Sequence, residues 1–191
     1  MRKLFNNVDL DNDGRITIDE LHDALIRGQP NLKFDKRTVQ LLVNKYNMNQ
    51  CDQIDFETFK HLFHFLNEEY ERFLAADLDG SGTIDSDKLA SFVRKRGYDQ
   101  YDRNFCNFII QTINYYIGGV GISFDYFCRI MARLDYLTQS YDFELSANQS
   151  YERSYPLRAY VQNNFFNGFW WGSFKKGLSH NFSRELNKKI N

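Results

Sequence analysis

Apolar residues recur along this chain at steps of three and four. Phe56, Phe59, Leu62, Phe63, Leu66, Tyr70, Phe73 and Leu74 form one such stripe, and Phe124, Phe127, Ile130, Met131, Leu134, Leu137 and Tyr141 form another. That spacing puts each set on one face of a helix. No Gly or Pro interrupts residues 54–79, so the first stripe predicts a single long helix. Gly28-Gln29-Pro30 predicts a helix end, and so does Gly97. Polar segments separate the helical stretches, each with an isoleucine at the same relative place: Ile16, Ile54, Ile84 and Ile122. Counted from that isoleucine, the segments begin at 9, 47, 77 and 115, with separations of 38, 30 and 38. The short middle interval means that the helix leaving the second segment is the helix entering the third. The expectation is an all-α chain of helix–loop–helix repeats, whose loops pair through the four isoleucines in short two-stranded contacts.

The first segment, DLDNDGRITIDE at residues 9–20, carries the clearest chemistry. Asp9, Asp11 and Asp13 stand at positions 1, 3 and 5, Gly14 at 6, Arg15 at 7, Thr17 at 9 and Glu20 at 12. A hard cation such as Ca2+ needs six to eight oxygens, and this spacing supplies them from one tight turn. Gly14 allows the backbone reversal, Arg15 offers its carbonyl, Thr17 acts directly or through water, and Glu20 closes the site with both oxygens. The segment reads as an EF-hand calcium loop. The third segment, DLDGSGTIDSDK at residues 77–88, matches at Asp77, Asp79, Ser81, Gly82, Thr83 and Asp85. It departs at position 12, where Lys88 replaces the bidentate acid. A calcium site and a loop that keeps the fold but binds calcium poorly are both open for it. Segments 47–58 and 115–126 lack the ligand set, with Thr58 and Tyr126 at position 12. Their expected role is packing.

The loop Asp9–Glu20, the loop Asp77–Lys88, the two long shared helices and Arg-Gly-Tyr at 96–98 together resemble the penta-EF-hand family, over about residues 4–145. The resemblance implies paired EF-hands in two lobes sharing long helices: residues 1–68 as the first pair, 69–150 as the second pair with a degenerate fifth hand, and 151–191 as a basic aromatic tail. It implies calcium ligands at Asp9, Asp11, Asp13, Arg15 and Glu20, then at Asp77, Asp79, Ser81 and Thr83. In that family the fifth hand pairs with that of another subunit. Here the fifth loop, expected from Asp142, lacks a central Gly and has Gln149 where an aliphatic residue is usual. The Gly/Pro-rich leader of the family is also missing, and eight residues precede the first loop.

Charge adds one feature. The net charge is -1, but residues 151–191 sum to +5 and the remainder to -6. Residues 165–176, FFNGFWWGSFKK, hold both tryptophans. Three readings apply to this tail: a cover folded back on the body, a contact with a peptide or the surface of a membrane, and, ranked last, nucleic acid. Cys51, Cys106 and Cys128 are an odd count without CxxC spacing, which fits a reducing compartment. The first residues have no apolar signal-like run. His61 and His64 share a helix face without an evident third ligand. No catalytic set is recognisable. The expected function is that of a cytoplasmic calcium sensor, with peripheral membrane contact open. It recognises a protein or peptide target, with assembly as a homodimer or heterodimer open. The alternatives are a regulatory subunit or fragment of a calpain-type cysteine protease, and a passive calcium buffer.

Overall fold

Aspartates open three of the helices. Asp55 accepts the Thr58 N–H at 2.8 Å, Asp85 accepts those of Asp87 and Lys88, and Asp102 accepts that of Phe105. Each satisfies backbone donors that the first helical turn leaves unpaired. These caps belong to a computed structural model that describes residues 1–28, 34–46, 52–147 and 157–166. Among the described residues the helices are α1 Arg2–Val8, α2 Ile18–Gly28, α3 Lys36–Tyr46, α4 Phe56–Ala76, α5 Ser86–Lys95, α6 Arg103–Ile117, α7 Phe124–Ala147 and α8 Leu157–Asn164. The strands are β1 Ile16–Thr17 and β2 Gln53–Ile54. The all-α expectation holds. Within the uninterrupted stretch at 54–79, Phe56–Ala76 is one helix of 21 residues.

The isoleucines pair as expected. Ile16 faces Ile54 in the antiparallel contact of β1 with β2. Ile84 and Ile122 exchange two N–H···O bonds of 2.9 Å. All four are at most 1 % exposed, so each loop is anchored to its neighbour from inside. Gly97 ends α5 as predicted. Its φ is +88°, its N–H reaches the Arg94 carbonyl, and the Tyr98 N–H reaches that of Val93. This is a Schellman closure, which needs the left-handed conformation glycine adopts cheaply.

The chain resolves into two compact units, Met1–Ala132 and Arg133–Asn191. All four predicted loop segments lie in the first. Its core is aromatic: Phe124 meets Phe34, Tyr70 and Phe73 edge-on at 5.2–5.7 Å, and Phe127 meets Phe73 and Phe92. Two charged groups lie inside this unit that the apolar stripes concealed. Arg129 is 1 % exposed and donates to the Thr38 hydroxyl from two nitrogens, with Asp35 and Asp125 carboxylates at 3.8 Å. Glu69 is fully buried and ion-paired with Arg72 and Arg96. On α4 the inward face therefore includes Phe65 and Glu69, while Leu74, expected on it, is 46 % exposed. The helical angle carries Leu74 round toward solvent at the last turn.

In the second unit, Arg133 donates to the carbonyls of Asn164 and Phe165 at 2.8 and 3.1 Å. A cation at the C-terminal end of α8 satisfies its last acceptors. Tyr141 and Tyr160 have ring centroids 5.5 Å apart. Two differences from the sequence expectations belong here. Residues 142–147 continue α7 instead of opening a fifth loop, because DFELSA contains no helix breaker. Residues 157–164, assigned to the tail, are helical. The start of the second loop, residues 47–51, and the tail beyond residue 166, with Trp170 and Trp171, lie outside the described residues.

Candidate metal centre

Helix α1 delivers the chain to the first loop, and the Asp9 N–H still makes its helical bond to the Phe5 carbonyl at 2.9 Å. From there the loop turns on itself. Asn12 has φ +58° and Gly14 φ +82°. The turn is held by the acids it brings together. Asp9 Oδ2 accepts the Gly14 N–H at 3.0 Å, Asp11 Oδ1 that of Asp13 at 3.2 Å, and Asp13 Oδ1 that of Arg15 at 2.7 Å. One carboxylate oxygen from each of Asp9, Asp11 and Asp13 lies within 4.8 Å of the others. Asp9 is 5 % exposed, and its Oδ1 is buried and accepts no hydrogen bond. A buried anionic oxygen left in this state costs free energy unless a cation faces it. The donor set is all oxygen, which suits a hard divalent ion.

Glu20 stands apart from this triad. Its Oε1 accepts the Leu10 N–H and its Oε2 the Thr17 N–H and hydroxyl, all at 2.8 Å. The Thr17 hydroxyl in turn accepts the Glu20 N–H at 3.2 Å. Thr17 and Glu20 thus form a capping box at the start of α2, legible in the sequence as T-x-x-E but read there only as ligand positions 9 and 12. Burial pushes the Glu20 carboxyl up. The donors from Thr17 and Leu10 outweigh that, and its pKa lies below the ordinary value. The paired loop also contributes. The Thr58 N–H chiefly, with a smaller share from the Arg15 charge, holds the Asp55 carboxyl below its ordinary range.

The third loop has the same scaffold and different electrostatics. Asp77 Oδ1 accepts from the Ser81 N–H and hydroxyl at 3.1 and 3.0 Å, and Oδ2 from the Gly82 N–H at 2.7 Å. The Ser81 hydroxyl also lies 3.1 Å from the Thr83 carbonyl. Lys88 Nζ donates to Asp79 Oδ1 at 3.1 Å and is 4.0 Å from Asp77 Oδ1. The Asp77 carboxyl, then the Lys88 ammonium and the Ser81 hydroxyl, hold Asp79 well below the carboxylate range. Asp85, at position 9 of this loop, is engaged in capping α5.

Other candidates fall to ordinary roles. His64 pairs with Glu68 at 3.0 Å on an exposed helix face, with no metal-binding partners grouped around it among the described residues. Cys106 and Cys128 are buried free thiols, and burial pushes the Cys106 pKa up to about 12. Cys51 lies outside the described residues. No helix among the described residues is long and apolar enough to cross a membrane.

Next to the first loop, a groove of about 300 Å³ opens between α1, α2 and α4. Leu4, Val8, Leu21, Leu25, Phe59 and Phe63 are among its walls, so both helices joined by the calcium-type loop line it.

Comparison with known proteins agrees with this geometry. A family model described as "EF hand" matches residues 1–25 and 70–93, the surroundings of the first and third loops. Peflin of Danio rerio is 28% identical over 140 residues, covering 72% of this chain and 50% of peflin. Sorcin of Homo sapiens is 27% identical over 156 residues, covering 78% of this chain and 75% of sorcin. The chain spans about half the length of the peflins it matches. Among solved structures, a homolog of programmed cell death 6 protein from Leishmania major Friedlin superposes with a TM-score of 0.57 at 25% identity. That match covers 75% of this chain and 82% of that one.

Proposed function

Because the chain belongs to the penta-EF-hand family of calcium-binding proteins, we propose that it is a calcium-dependent recognition protein whose ion enters the loop Asp9–Glu20. Asp9, Asp11 and Asp13 supply side-chain oxygens, Arg15 its carbonyl, and Glu20 its carboxylate. The observation that carries this reading is the convergence of three carboxylates on one point with Asp9 Oδ1 buried and accepting nothing.

Recognition follows from where Glu20 sits. Its oxygens hold Leu10 in the loop and Thr17 at the start of α2. Turning those oxygens to an ion changes what fixes the first turn of α2, and α2 walls the apolar groove with α1. The groove then becomes the surface on which an apolar segment of a protein target is read. Residues 1–68 would work as the calcium-reading half on this account, and 69–150 as its partner.

A hydrophobic-dye titration with calcium tests the proposal. Dye fluorescence rises with calcium in the wild type and stays flat in Glu20→Gln. Calcium binding with no rise in dye fluorescence would make the protein a passive buffer.

A further inference from the structure

We propose that the loop Asp77–Lys88 carries its own cation: the Lys88 ammonium takes the place of a metal ion beside Asp77 and Asp79, fixing the third hand in one conformation at every calcium level. The calcium signal is then read through Asp9–Glu20 alone. That last statement rests on the function proposed above, and the claim about Lys88 does not.

The two loops can be compared position by position. In each, the ninth residue caps the following helix and the twelfth is the third residue inside it: Thr17 and Glu20 for α2, Asp85 and Lys88 for α5. A carboxylate there interacts favourably with the positive end of the helix dipole, and an ammonium does not. Lys88 is therefore a poor residue for α5 as a helix. Its place is explained by the loop, where it reaches Asp79 at 3.1 Å and Asp77 at 4.0 Å with its side chain 25 % exposed.

The acceptors around Asp77 are correspondingly engaged, with the one Ser81 hydroxyl proton shared between Asp77 Oδ1 and the Thr83 carbonyl. Asp77 takes three hydrogen bonds from Ser81 and Gly82, and the ammonium faces its Oδ1. The Thr83 carbonyl, the ligand expected at position 7, lies within reach of the Ser81 hydroxyl. Asp85 is held by α5. In the first loop, by contrast, the buried Asp9 Oδ1 accepts nothing. The side chains at positions 1, 3, 5 and 12 sum to -4 in the first loop and to -1 in the third. A divalent ion entering the third loop must displace an ammonium and gains little attraction in return. Meanwhile the third hand is already formed: Gly80 and Gly82 turn the chain at φ +64° and +72°, and Ile84 is bonded to Ile122 on both sides.

Calorimetry and native mass measurement with calcium alone test this on the full chain and four variants: Glu20→Gln, Lys88→Glu, their double mutant and Lys88→Met. The expected stoichiometries are one ion for the wild type, none for Glu20→Gln, two for Lys88→Glu, and one for the double mutant. Wild-type protein that takes no ion while Lys88→Glu takes one still supports the lysine claim, and overturns only the assignment of the first loop. Two ions in the wild type, or one that survives Glu20→Gln, would overturn it. So would a Lys88→Glu isotherm indistinguishable from wild type. Lys88→Met guards against misfolding of the acidic variant. In chelator it melts lower than wild type by up to about 2–4 °C, the loss of one partly exposed ion pair in a chain of this length outweighing the relief of an ammonium at the N-terminus of α5. An unchanged melting temperature counts against the internal cation.

Discussion

Asp9→Asn should raise stability without calcium and lower it with calcium. Asparagine keeps an oxygen for the Gly14 N–H, so the turn retains its bond. What it removes is charge. The Asp9 carboxylate lies within 4.8 Å of those of Asp11 and Asp13, and each such pair repels by about 1 kcal/mol in a water-like dielectric and about 3.5 kcal/mol at an effective dielectric of 20. Asp11 and Asp13 are exposed, which puts both pairs near the low end. Relief of two repulsions comes to about 2 kcal/mol, or about 4–8 °C in melting temperature for a chain of this length. With calcium the sign reverses, because the variant has lost one anionic ligand. A loss of affinity greater than about thirtyfold is expected, equivalent to more than about 2 kcal/mol, which outweighs the relief of repulsion at saturating calcium. Thermal melts in chelator and in saturating calcium measure both effects, at low salt so that screening does not mask the first. A variant that melts lower in chelator and gains as much from calcium as the wild type would refute the reasoning.

Two further predictions concern the fold around the site. Burial pushes the Asp125 carboxyl from an ordinary 3.8 up to about 6, against the pull of the Thr38 hydroxyl, Arg129 and the Asp35 N–H, with the Asp35 carboxylate adding to the rise. Its proton is held more tightly folded than unfolded, so stability is fully present below about pH 4 and falls by up to about 3 kcal/mol as pH rises through 6. Asp125→Asn should flatten that part of a denaturant-derived stability profile, and an unaltered profile would place the slope elsewhere. Gly97→Ala should cost about 1 kcal/mol, because the new Cβ meets nothing within 4 Å and the penalty is left-handed backbone strain alone. Chemical denaturation of this variant checks it, and a neutral result would contradict the Schellman reading of α5.

Local rules made most of the scaffold legible. The period of the apolar stripes located α4 and α7, and the position-8 isoleucines located both loop pairings, because each signal depends only on residues close in sequence. The spacing of Asp9, Asp11 and Asp13 placed three carboxylates on one turn for the same reason. Long-range charge was not legible. Arg129 reads as an interruption in an apolar stripe until α3 brings Thr38 against it across 91 residues. Glu69 sits on α4 like a surface residue until Arg96 arrives from the end of α5. Lys88 was legible as a departure from the ligand pattern. That its ammonium reaches back to Asp79, nine residues earlier, depended on the loop's own fold. The continuation of α7 beyond Asp142 was missed because an expected fifth loop was given more weight than a stretch without helix breakers.

Calorimetric calcium titration of the wild type beside Glu20→Gln, with mass measured in calcium and in chelator, tests the central claim most directly. Glu20 is the one residue that belongs both to the proposed ligand set and to the capping box of α2. The substitution removes its charge and leaves one carbonyl oxygen to accept from Leu10 or Thr17. The account predicts one ion per wild-type chain and none detectable in the variant. Its folded state in chelator is retained, and any calcium-dependent change in mass is lost with the ion. Equal stoichiometry and affinity in the two proteins would contradict the assignment of the calcium site to Asp9–Glu20.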